Sequence, residues 1–495
     1  MKRRNFWLFF DKFFPSDVSS SPRVADDSSE TESNHSFPSF ALVAMLFLWF
    51  SFCCYVTWLR WQCWDIGIDT TVWGQSLFFA SKGLPYQLTT YVGLDQTIPR
   101  PLLSFHFYLL LPFFSLFYKL FPNPAYLLVL QHLAHALGGW FIACIVWNRS
   151  SENRLVTLAA TAAWLFYPPL ARAQVAYDFS PQHLAAFFLP LAAWAATAGH
   201  HRIALGSLVF LACGEENMSL VAGFSALSLA WMHPERRGMY LIAAPLFLLY
   251  TIVVLKFGIP AFLPPGIENH FLNRYSGLLE HPGDIIQMTF NAPNGAYLLS
   301  LLAPLLFLPL IYPHPWLLAT IPFVAQNLLS PGIDTRLIGH HYTTVLAIAC
   351  FLGALFGILR SGRRLVFFSF SMAIICLFLI IFREPVLPWA WEGADGRTVE
   401  LGNNLAPLAT IIPSNASLSA PPVVGAHFWA RDKLWFFPQG ANEAEWIVVP
   451  KYQTSYPAVD ITLLKNWISR FIKEPHVRRV LENDDIIVFR REQLH

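Results

Sequence analysis

The chain has 495 residues, of which 55% are hydrophobic and only 13% are charged, and its formal net charge is +2. Soluble domains carry about 25% charged residues, so this composition excludes an ordinary soluble protein and predicts a polytopic membrane protein. The small net charge gives no indication of nucleic-acid binding.

The N-terminal part consists of a polar tail and one long apolar segment. Residues 1–14 are basic and aromatic, which is typical of a segment at the cytoplasmic membrane interface. Residues 15–38 are rich in Ser, Asp and Glu, which predicts disorder. The apolar segment 39–60 is too long and too far from the N-terminus for a cleaved signal peptide. We therefore expect 1–38 to be a cytoplasmic tail and 39–60 to remain as a membrane anchor.

A mixed stretch at 61–101, which we interpret as the first external loop, separates this anchor from a series of further apolar segments. These segments fall at 102–121, 124–147, 155–170, 183–198, 203–214, 217–232, 239–256, 296–311, 315–329, 342–360 and 364–382. Several approach the roughly 20 apolar residues that cross a bilayer as a helix. The pattern predicts a mainly α transmembrane bundle over 39–386, with about eleven crossings.

Residues 387–495 have ordinary polarity and differ from the apolar part. They contain three β-rich runs, ATIIP (409–413), EWIVVP (445–450) and DIIVFRR (485–491), and an amphipathic stretch at 461–473. Short β-rich runs and one amphipathic helix are typical of mixed folds. We predict a small α/β domain here.

Lys and Arg in short connections favour the cytoplasm and so predict the orientation. The connections with this bias are 2–4, 148–154, 199–202, 233–238 and 360–364. With these inside, the protein is a multi-pass protein of the plasma membrane, with its N-terminus cytoplasmic and both Asp65 and the C-terminal domain extracytoplasmic. Two apolar segments lie between Asp65 and Asn148, where an odd number of crossings is needed. Either 102–121 enters the membrane and returns without crossing, or the charges around 148–154 break the rule, and we favour the first.

This orientation brings ionisable side chains from six connections to the outer membrane boundary. They are Asp65, Asp69, His106, Asp178, His183, Glu215, Glu216, Arg274, Arg336, His340 and His341. Ionisable groups at the edge of the hydrocarbon are costly and are usually paired or functional. Acids and bases that converge from several helices predict a catalytic cleft at the lipid surface.

The acidic residues also have structural interpretations. Asp65 could cap a short helix that begins at Ile66, because Asp is a favoured N-cap residue. Asp69, four residues later, would then share a helical face with Asp65. Glu215 and Glu216 could form a solvated turn between two short spans.

The basic residues have simple alternatives as well. His183 could be the polar end of a span, and Arg274 a loop cation. His340 and His341 could be ordinary interfacial histidines, since two adjacent histidines without a third ligand are a weak metal signal. The sequence contains no zinc signature, phosphate-binding glycine loop or nucleophile elbow. The common soluble chemistries are therefore not indicated.

A set of short motifs runs in a specific order from about residue 60 to the C-terminus. They are WDIG (64–67), YDFSPQH (177–183), EENMSL (215–220), NRYSGL (273–278), HHY (340–342), IIPSNASLSA (411–420) and ENDDIIVFRR (482–491). In order and spacing the chain resembles a bacterial family of predicted multi-spanning membrane proteins of unknown function. That family is in turn similar to GT-C glycosyltransferases, which take sugars from polyprenyl-phosphate carriers.

The resemblance implies a GT-C-like fold and transfer of a sugar from a polyprenyl-phosphate donor to an acceptor on the outer face of the plasma membrane. GT-C enzymes are similar in placing an acidic residue just after the first span, and Asp65 matches that position. It would act as general base on the acceptor hydroxyl or help hold a divalent metal ion. Glu216 is the second expected catalytic carboxylate. Arg274, Arg336 and His341 would absorb charge on the leaving phosphate.

Two motifs depart from the family pattern, which usually shows Lys-Glu-Asp where this chain has Glu215-Glu216-Asn217 and His in place of Ser180. These changes affect the polar side chains that would line the expected catalytic cleft. The expected substrate-binding set is completed by Asp69, His106, Asp178 and His183. Asp69 would be a secondary, more replaceable neighbour of Asp65.

Two other functions fit the same residues. The protein could be a lipid or glycan transporter or flippase, or a scaffold whose C-terminal domain binds an envelope partner. The charges gather at one face and no internal repeat is evident, which favours an enzyme over a transporter. The expected partners are a polyprenyl-phosphate sugar lipid, an acceptor and membrane lipids, without nucleic acid. The sequence specifies neither the sugar nor a metal.

Overall fold

The structure, a computed structural model, describes residues 39–492 except 85, 91–99, 151–152, 264–274, 276–277, 279–280, 282, 361–363, 383–395 and 456–457. The predicted tail at 1–38 and Arg274 lie outside the described residues. The rest is mainly helical with a small sheet near the C-terminus, which confirms the predicted helical bundle with a small C-terminal α/β part.

Sixteen helices precede the C-terminal part in the described residues. They are α1 (Ser39–Gln62), α2 (Ile68–Ser81), α3 (Leu111–Leu120), α4 (Ala125–Arg149), α5 (Arg154–Leu165), α6 (Pro168–Ala176), α7 (Ala185–Thr197), α8 (His201–Ala212), α9 (Met218–Met232), α10 (Arg237–Val253), α11 (Asp284–Thr289), α12 (Ala292–Leu302), α13 (Leu308–Ile311), α14 (Ile321–Leu328), α15 (His341–Leu359) and α16 (Arg364–Phe382). A hairpin of β1 (Gln87–Leu88) and β2 (Arg100–Pro101) lies between α2 and α3.

Five helical segments among the described residues are long and apolar enough to cross a membrane. They are Phe40–Gln62, Ala125–Arg149, Pro234–Phe262, Asp334–Leu359 and Leu365–Phe382. These segments show that the chain is a helical membrane protein. The predicted count of about eleven crossings stays a prediction, because the remaining apolar helices are shorter.

Helix α15 lies at the centre of the bundle. Within its most apolar window 89% of the residues are buried, whereas α16 reaches only 28% and faces outward. Phe351 on α15 contacts Trp164 and Tyr167, and all three side chains are fully buried. Aromatic contacts of this kind pack the neighbouring helices against α15.

Prolines divide several passages into pairs of short helices. Helix α5 ends at Leu165, and α6 begins at Pro168 and Pro169. Proline has no amide proton, so it is tolerated in a first helical turn but interrupts a continuous helix. The break turns α6 so that the next residues, which include Tyr177 and Asp178, reach the end of the bundle near α2.

The bundle has two distinct ends. Arg149, Thr197, His233 and Arg360 lie where α4, α7, α9 and α15 finish, and they line one small pocket. These residues lie in or next to four of the connections that we predicted to be inside, so the described parts of these connections share one end. We call the opposite end, near Asp65, the site end. The orientation of these ends across the membrane stays a prediction.

The segment 102–121 remains at the site end. Helix α3 has 10 residues, or about 15 Å, which is half of the hydrocarbon thickness. At its start the Leu110 amide donates to the Cys213 carbonyl (3.2 Å), and near its end Tyr118 accepts a hydrogen bond from Trp429 (2.9 Å). Both ends of α3 therefore contact residues of the site end, and the absence of a crossing stays a prediction.

The C-terminal part contains a five-stranded sheet. Its elements are α17 (Gly396–Leu405), α18 (Leu408–Ile411), β3 (Leu418–Ala420), α19 (Pro422–Gly425), β4 (Leu434–Phe436), β5 (Trp446–Pro450), β6 (Thr454–Ser455), β7 (Ala458–Val459), α20 (Ile461–Lys473), β8 (Val477–Glu482) and β9 (Ile486–Arg491). The strand order is β4-β3-β5-β9-β8, in which β3 is parallel to both neighbours and β9 is antiparallel to both. Strands β6 and β7 form a separate hairpin.

The sequence patterns of this part are mostly confirmed. The runs at 445–450 and 485–491 form β5 and β9, and the amphipathic stretch is α20, whose first turn is capped by Asp460. The predicted strand at 409–413 is wrong, because this run mostly forms α18. Pro407 starts that helical turn and Pro413 follows it, so the apolar residues between them pack as a single turn.

The C-terminal part packs directly on α2. Thr71 donates to the Pro422 carbonyl (3.0 Å), and the Leu434 amide donates to Thr89 (2.9 Å). The ring of His427 stacks on Trp64. The sheet therefore holds the segment that carries Asp65 and Asp69.

Candidate functional site

Asp178 caps helix α2 from a distant part of the chain. Its carboxylate accepts hydrogen bonds from the Gly67 amide (3.0 Å) and the Thr70 amide (3.4 Å). These are amides of the first turn that lack a partner within the helix. The expectation that Asp65 caps a helix beginning at Ile66 is wrong, because α2 begins at Ile68 and Asp178 occupies the capping position.

Asp65 forms an ion pair with Arg60. The Arg60 Nε donates to Asp65 Oδ2 (2.9 Å), and the same guanidinium donates to the carbonyls of Asp65 (2.7 Å) and Val175 (2.8 Å). The Arg60 side chain is 8% exposed, whereas that of Asp65 is 43% exposed. Asp65 is therefore accessible and held by a buried cation. It lies before α2, so the expectation that it shares a helical face with Asp69 is also wrong.

Asp69 lies in the first turn of α2. The hydroxyl of Tyr177 donates to its carboxylate. Burial raises the pKa of Asp69 to about 7, with Asp178 as the second cause. As a residue, Asp69 is partly exposed. A carboxylate with a pKa near 7 accepts protons more readily than an ordinary aspartate.

His106, Glu215 and Glu216 form a compact group beside Asp69. The His106 Nδ1 lies 3.0 Å from Glu215 Oε1 and 2.8 Å from Glu216 Oε1. Glu215 is 2% exposed and Glu216 is fully buried, so the alternative of a solvated turn is wrong. We call Asp65, Asp69, Asp178, Glu215 and Glu216 the acid cluster.

The charges of this group depend on one another. Burial lowers the pKa of His106, but Glu216 and Glu215 together raise it well above its usual value. Burial raises the pKa of Glu216, but attraction to His106 and the hydrogen bond from the Phe107 amide hold it below its usual value. A protonated imidazole between two carboxylates is the state that the protein residues alone favour.

A cavity of about 480 Å³ lies on the other side of Tyr177. We call it the cationic cavity, since Arg172, Arg336 and His340 line it. Its apolar wall contains Pro293, Ala296, Leu337 and Ile338. Tyr177 also lines it, and its ring lies 4.9 Å from that of His340. Tyr177 therefore connects the acid cluster with the cationic cavity.

The other predicted residues fall in two places. Arg336 donates to Asn294 on α12 (3.1 Å) and faces the cationic cavity, and the ring of His341 lies 4.8 Å from that of Tyr177. His183 is instead fully buried in the bundle, where its ring bonds Thr344 (3.1 Å). His183 is therefore buried within the bundle and is not merely the polar end of a span.

Two groups of side chains in the described residues bring three metal-ligating atoms within 4.8 Å of one another. One is His106, Glu215 and Glu216. The other is formed by His201, His233 and Glu235 at the opposite end, where the Glu235 side chain is 59% exposed. The buried group at the site end is the better candidate metal centre, because a buried site excludes competing water.

Sequence reasoning did not single out Arg60, Arg172, Tyr177 or Gln182. Arg60 carried a signal, since it is the one charged residue of α1. Such a charge near the end of a membrane helix is usually paired. Tyr177 and Gln182 lie within the YDFSPQH motif, but nothing in the motif indicates that they bond Asp69 and Glu215.

The fold and the site together define a helical membrane protein with an acid cluster and a cationic cavity at one end of its bundle. The chain belongs to the family described as "Predicted membrane protein (DUF2079)", which matches residues 64–483. This confirms the resemblance to a membrane protein family of unknown function, while the likeness of that family to GT-C enzymes stays a prediction. No curated protein matches the chain.

Proposed function

We propose that the protein is a membrane glycosyltransferase that moves a sugar from a polyprenyl-phosphate donor to an acceptor hydroxyl at the outer face of the plasma membrane. One observation carries the proposal. The acid cluster and the cationic cavity adjoin through Tyr177, which bonds Asp69 on one side and lines the cavity on the other. A proton acceptor and a phosphate-binding cation are the two groups that such a transfer needs.

The cationic cavity has the chemistry of a lipid-phosphate site. Arg172 and Arg336 supply guanidinium groups, which bind phosphate through strong, charge-assisted hydrogen bonds. The cavity is bounded by α12, whose Leu299 is 54% exposed. An isoprenoid chain could lie along this apolar helix while its phosphate enters the cavity.

The acid cluster would supply the base. The acceptor oxygen attacks the anomeric carbon, its proton passes to a carboxylate, and the bond from the anomeric carbon to the phosphate oxygen breaks. The electron pair leaves with the polyprenyl phosphate, whose charge Arg172 and Arg336 would stabilise. Asp65 has the position that the resemblance indicates. Asp69 has the environment that favours proton transfer.

The proposal is tested with purified protein in liposomes and polyprenyl-phosphate sugars as donors. Arg336→Gln should raise the KM for the donor about 10-fold or more, because a hydrogen bond to a charged group contributes roughly 1.5–3 kcal/mol. Arg202→Gln is the control, since Arg202 is an exposed cation on α8, away from the cavity. Equal donor affinity in the two variants would reject the phosphate site, and no transfer from any donor would reject the activity.

A transporter is the second candidate, and one observation favours it. Gln131, His132, His135 and Gln174 are at most 1% exposed and lie inside the bundle. Polar groups at membrane depth often mark a transport path. A transporter would move a fluorescent glycolipid between leaflets of the same liposomes without releasing polyprenyl phosphate, and an enzyme would release it.

A further inference from the structure

Glu215 and Glu216 bring two buried carboxylates together, and His106 is the ion-pair partner that they share. Asp65 and Asp178 share a different cation, Arg60. Uncompensated charge in a buried site is strongly unfavourable. A bound cation would remove this imbalance.

The group of His106, Glu215 and Glu216 has the spacing of metal ligands. One nitrogen and two carboxylate oxygens lie within 4.8 Å of one another, with His106 Nδ1 3.0 Å and 2.8 Å from the two oxygens. Ligands bound at about 2.0–2.2 Å to one ion lie roughly 3 to 3.5 Å apart. Small side-chain adjustments would therefore direct all three atoms to one ion.

Both carboxylates are oriented by a second hydrogen bond. Glu216 Oε2 accepts from the Phe107 amide (3.0 Å), and Glu215 Oε2 accepts from Gln182 Nε2 (2.9 Å). In each case the other oxygen, Oε1, faces His106. Outer partners of this kind fix ligand orientation in metal sites.

Gln182 provides an independent observation. It is fully buried, and its Oε1 has no hydrogen-bond partner among the described residues. Its amide nitrogen bonds Glu215, so the amide oxygen lies within about 5 Å of that carboxylate. A buried acceptor without a donor among the described residues is available to an ion or a water molecule.

We propose that His106, Glu215 and Glu216 bind a divalent transition metal ion, Zn²⁺ or Mn²⁺, with Gln182 Oε1 or water as a further ligand. Imidazole nitrogen with carboxylate oxygen suits these ions, whereas Ca²⁺ and Mg²⁺ prefer oxygen alone. The proposal concerns metal binding and holds whether or not the protein transfers sugars.

The experiment uses the full-length protein in detergent. Metal content is measured by mass spectrometry after purification without chelator, for wild type, His106→Ala, the near-isosteric Glu215→Gln and His233→Ala. The last variant is the control, because His233 belongs to the second group, whose Glu235 is largely exposed. Melting temperatures are then measured after EDTA treatment, with and without added Zn²⁺, Mn²⁺ or Mg²⁺.

We expect about one ion per chain in wild type and His233→Ala, and at least a 10-fold lower content in the other two variants. Zn²⁺ or Mn²⁺ should raise the melting temperature of EDTA-treated wild type by about 3 °C or more, since a ligand of the folded state stabilises it. If a variant does not fold, the change in the melting temperature of the wild-type protein on adding metal decides whether the protein binds a metal ion.

Two results would overturn the proposal. One is a wild-type protein that holds no metal and whose melting temperature does not respond to any of the ions. The other is loss of metal in His233→Ala with retention in His106→Ala, which would move the site to the opposite end. A protein that binds metal at His106 but transfers no sugar would reject only the proposed function.

Discussion

Trp64 stacks on His427 across the junction between the bundle and the C-terminal part, with ring centroids 4.0 Å apart. The backbone of Trp64 has a φ of 56°, a left-handed conformation that costs a bulky residue about 1–2 kcal/mol. The stacking and the burial of Trp64, which is 6% exposed, offset this cost. The next residue is Asp65, so the contact determines how the chain enters the site.

Replacement of His427 should therefore disturb the site from outside the bundle. His427→Ala removes the stacked ring and should lower stability by about 1 kcal/mol, the usual worth of an aromatic pair. His427→Phe keeps a flat ring and should restore most of the stability that His427→Ala loses. Thermal melting and sugar transfer are measured for both variants, and an unchanged His427→Ala protein would show that the junction does not position Asp65.

A second prediction concerns the close approach of α17 to the end of α1. A Cβ at Gly402 would lie 2.9 Å from the Cys63 Cα and 3.1 Å from its carbonyl carbon, so a backbone must move. Gly402→Ala should destabilise the protein by about 1–3 kcal/mol. Gly206→Ala on α8 is the matched control, because nothing lies within 4 Å of its Cβ. Alanine normally stabilises a helix by about 0.5–1 kcal/mol relative to glycine, so the two melting temperatures should change in opposite directions.

The third prediction separates Asp65 from Asp69 as the base. Asparagine keeps the size of each side chain but removes the charge, and loss of a general base lowers turnover by about 10²–10⁴. If Asp65 is the base, as the resemblance implies, Asp65→Asn should show this loss of turnover. If Asp69 is the base, as its environment favours, Asp69→Asn should show it instead. Sugar transfer is measured beside thermal stability for both. Wild-type turnover in both stable variants would leave Glu216 as the candidate.

The sequence predicted the membrane bundle, the small α/β part and all five members of the acid cluster, because these depend on hydropathy and on which connections share an end. It could not predict that Asp178 caps α2 or that Arg60 neutralises Asp65. The Asp178 carboxylate bonds an amide 111 positions earlier in the chain. Local spacing carries no information on such a contact, so the roles predicted for Asp65 from its neighbours were partly wrong.

The helix α18 illustrates the same limit on a smaller scale. The run at 409–413 is β-branched and favours a strand, but Pro407 and Pro413 enclose a single helical turn. By contrast, α20 was predicted at 461–473 and found at Ile461–Lys473, because its amphipathic pattern extends over several turns. Long periodic segments are set by their own sequence, and short ones by their surroundings.

The fourth prediction tests the orientation of the bundle. A single cysteine at Glu443, in the exposed part of the C-terminal sheet region, should react with an impermeant reagent added from outside intact cells. A cysteine at Glu235, at the opposite end, should not. The reverse labelling pattern would invert the predicted topology and place the acid cluster in the cytoplasm.

The last prediction uses the raised pKa of Asp69. In the unfolded chain this carboxyl group ionises near its ordinary value of 3.8, whereas in the folded protein burial and Asp178 move the pKa to about 7. Between these values the unfolded state has already lost a proton that the folded state keeps. The contribution of Asp69 to stability therefore falls as the pH rises from about 4 to 7, by at most about 1.4 kcal/mol per pH unit, and is constant above pH 7. Asp69→Asn cannot ionise. Its melting temperature relative to wild type, measured in EDTA, should rise across this range and level off above it, and a difference that does not depend on pH would show that Asp69 ionises normally.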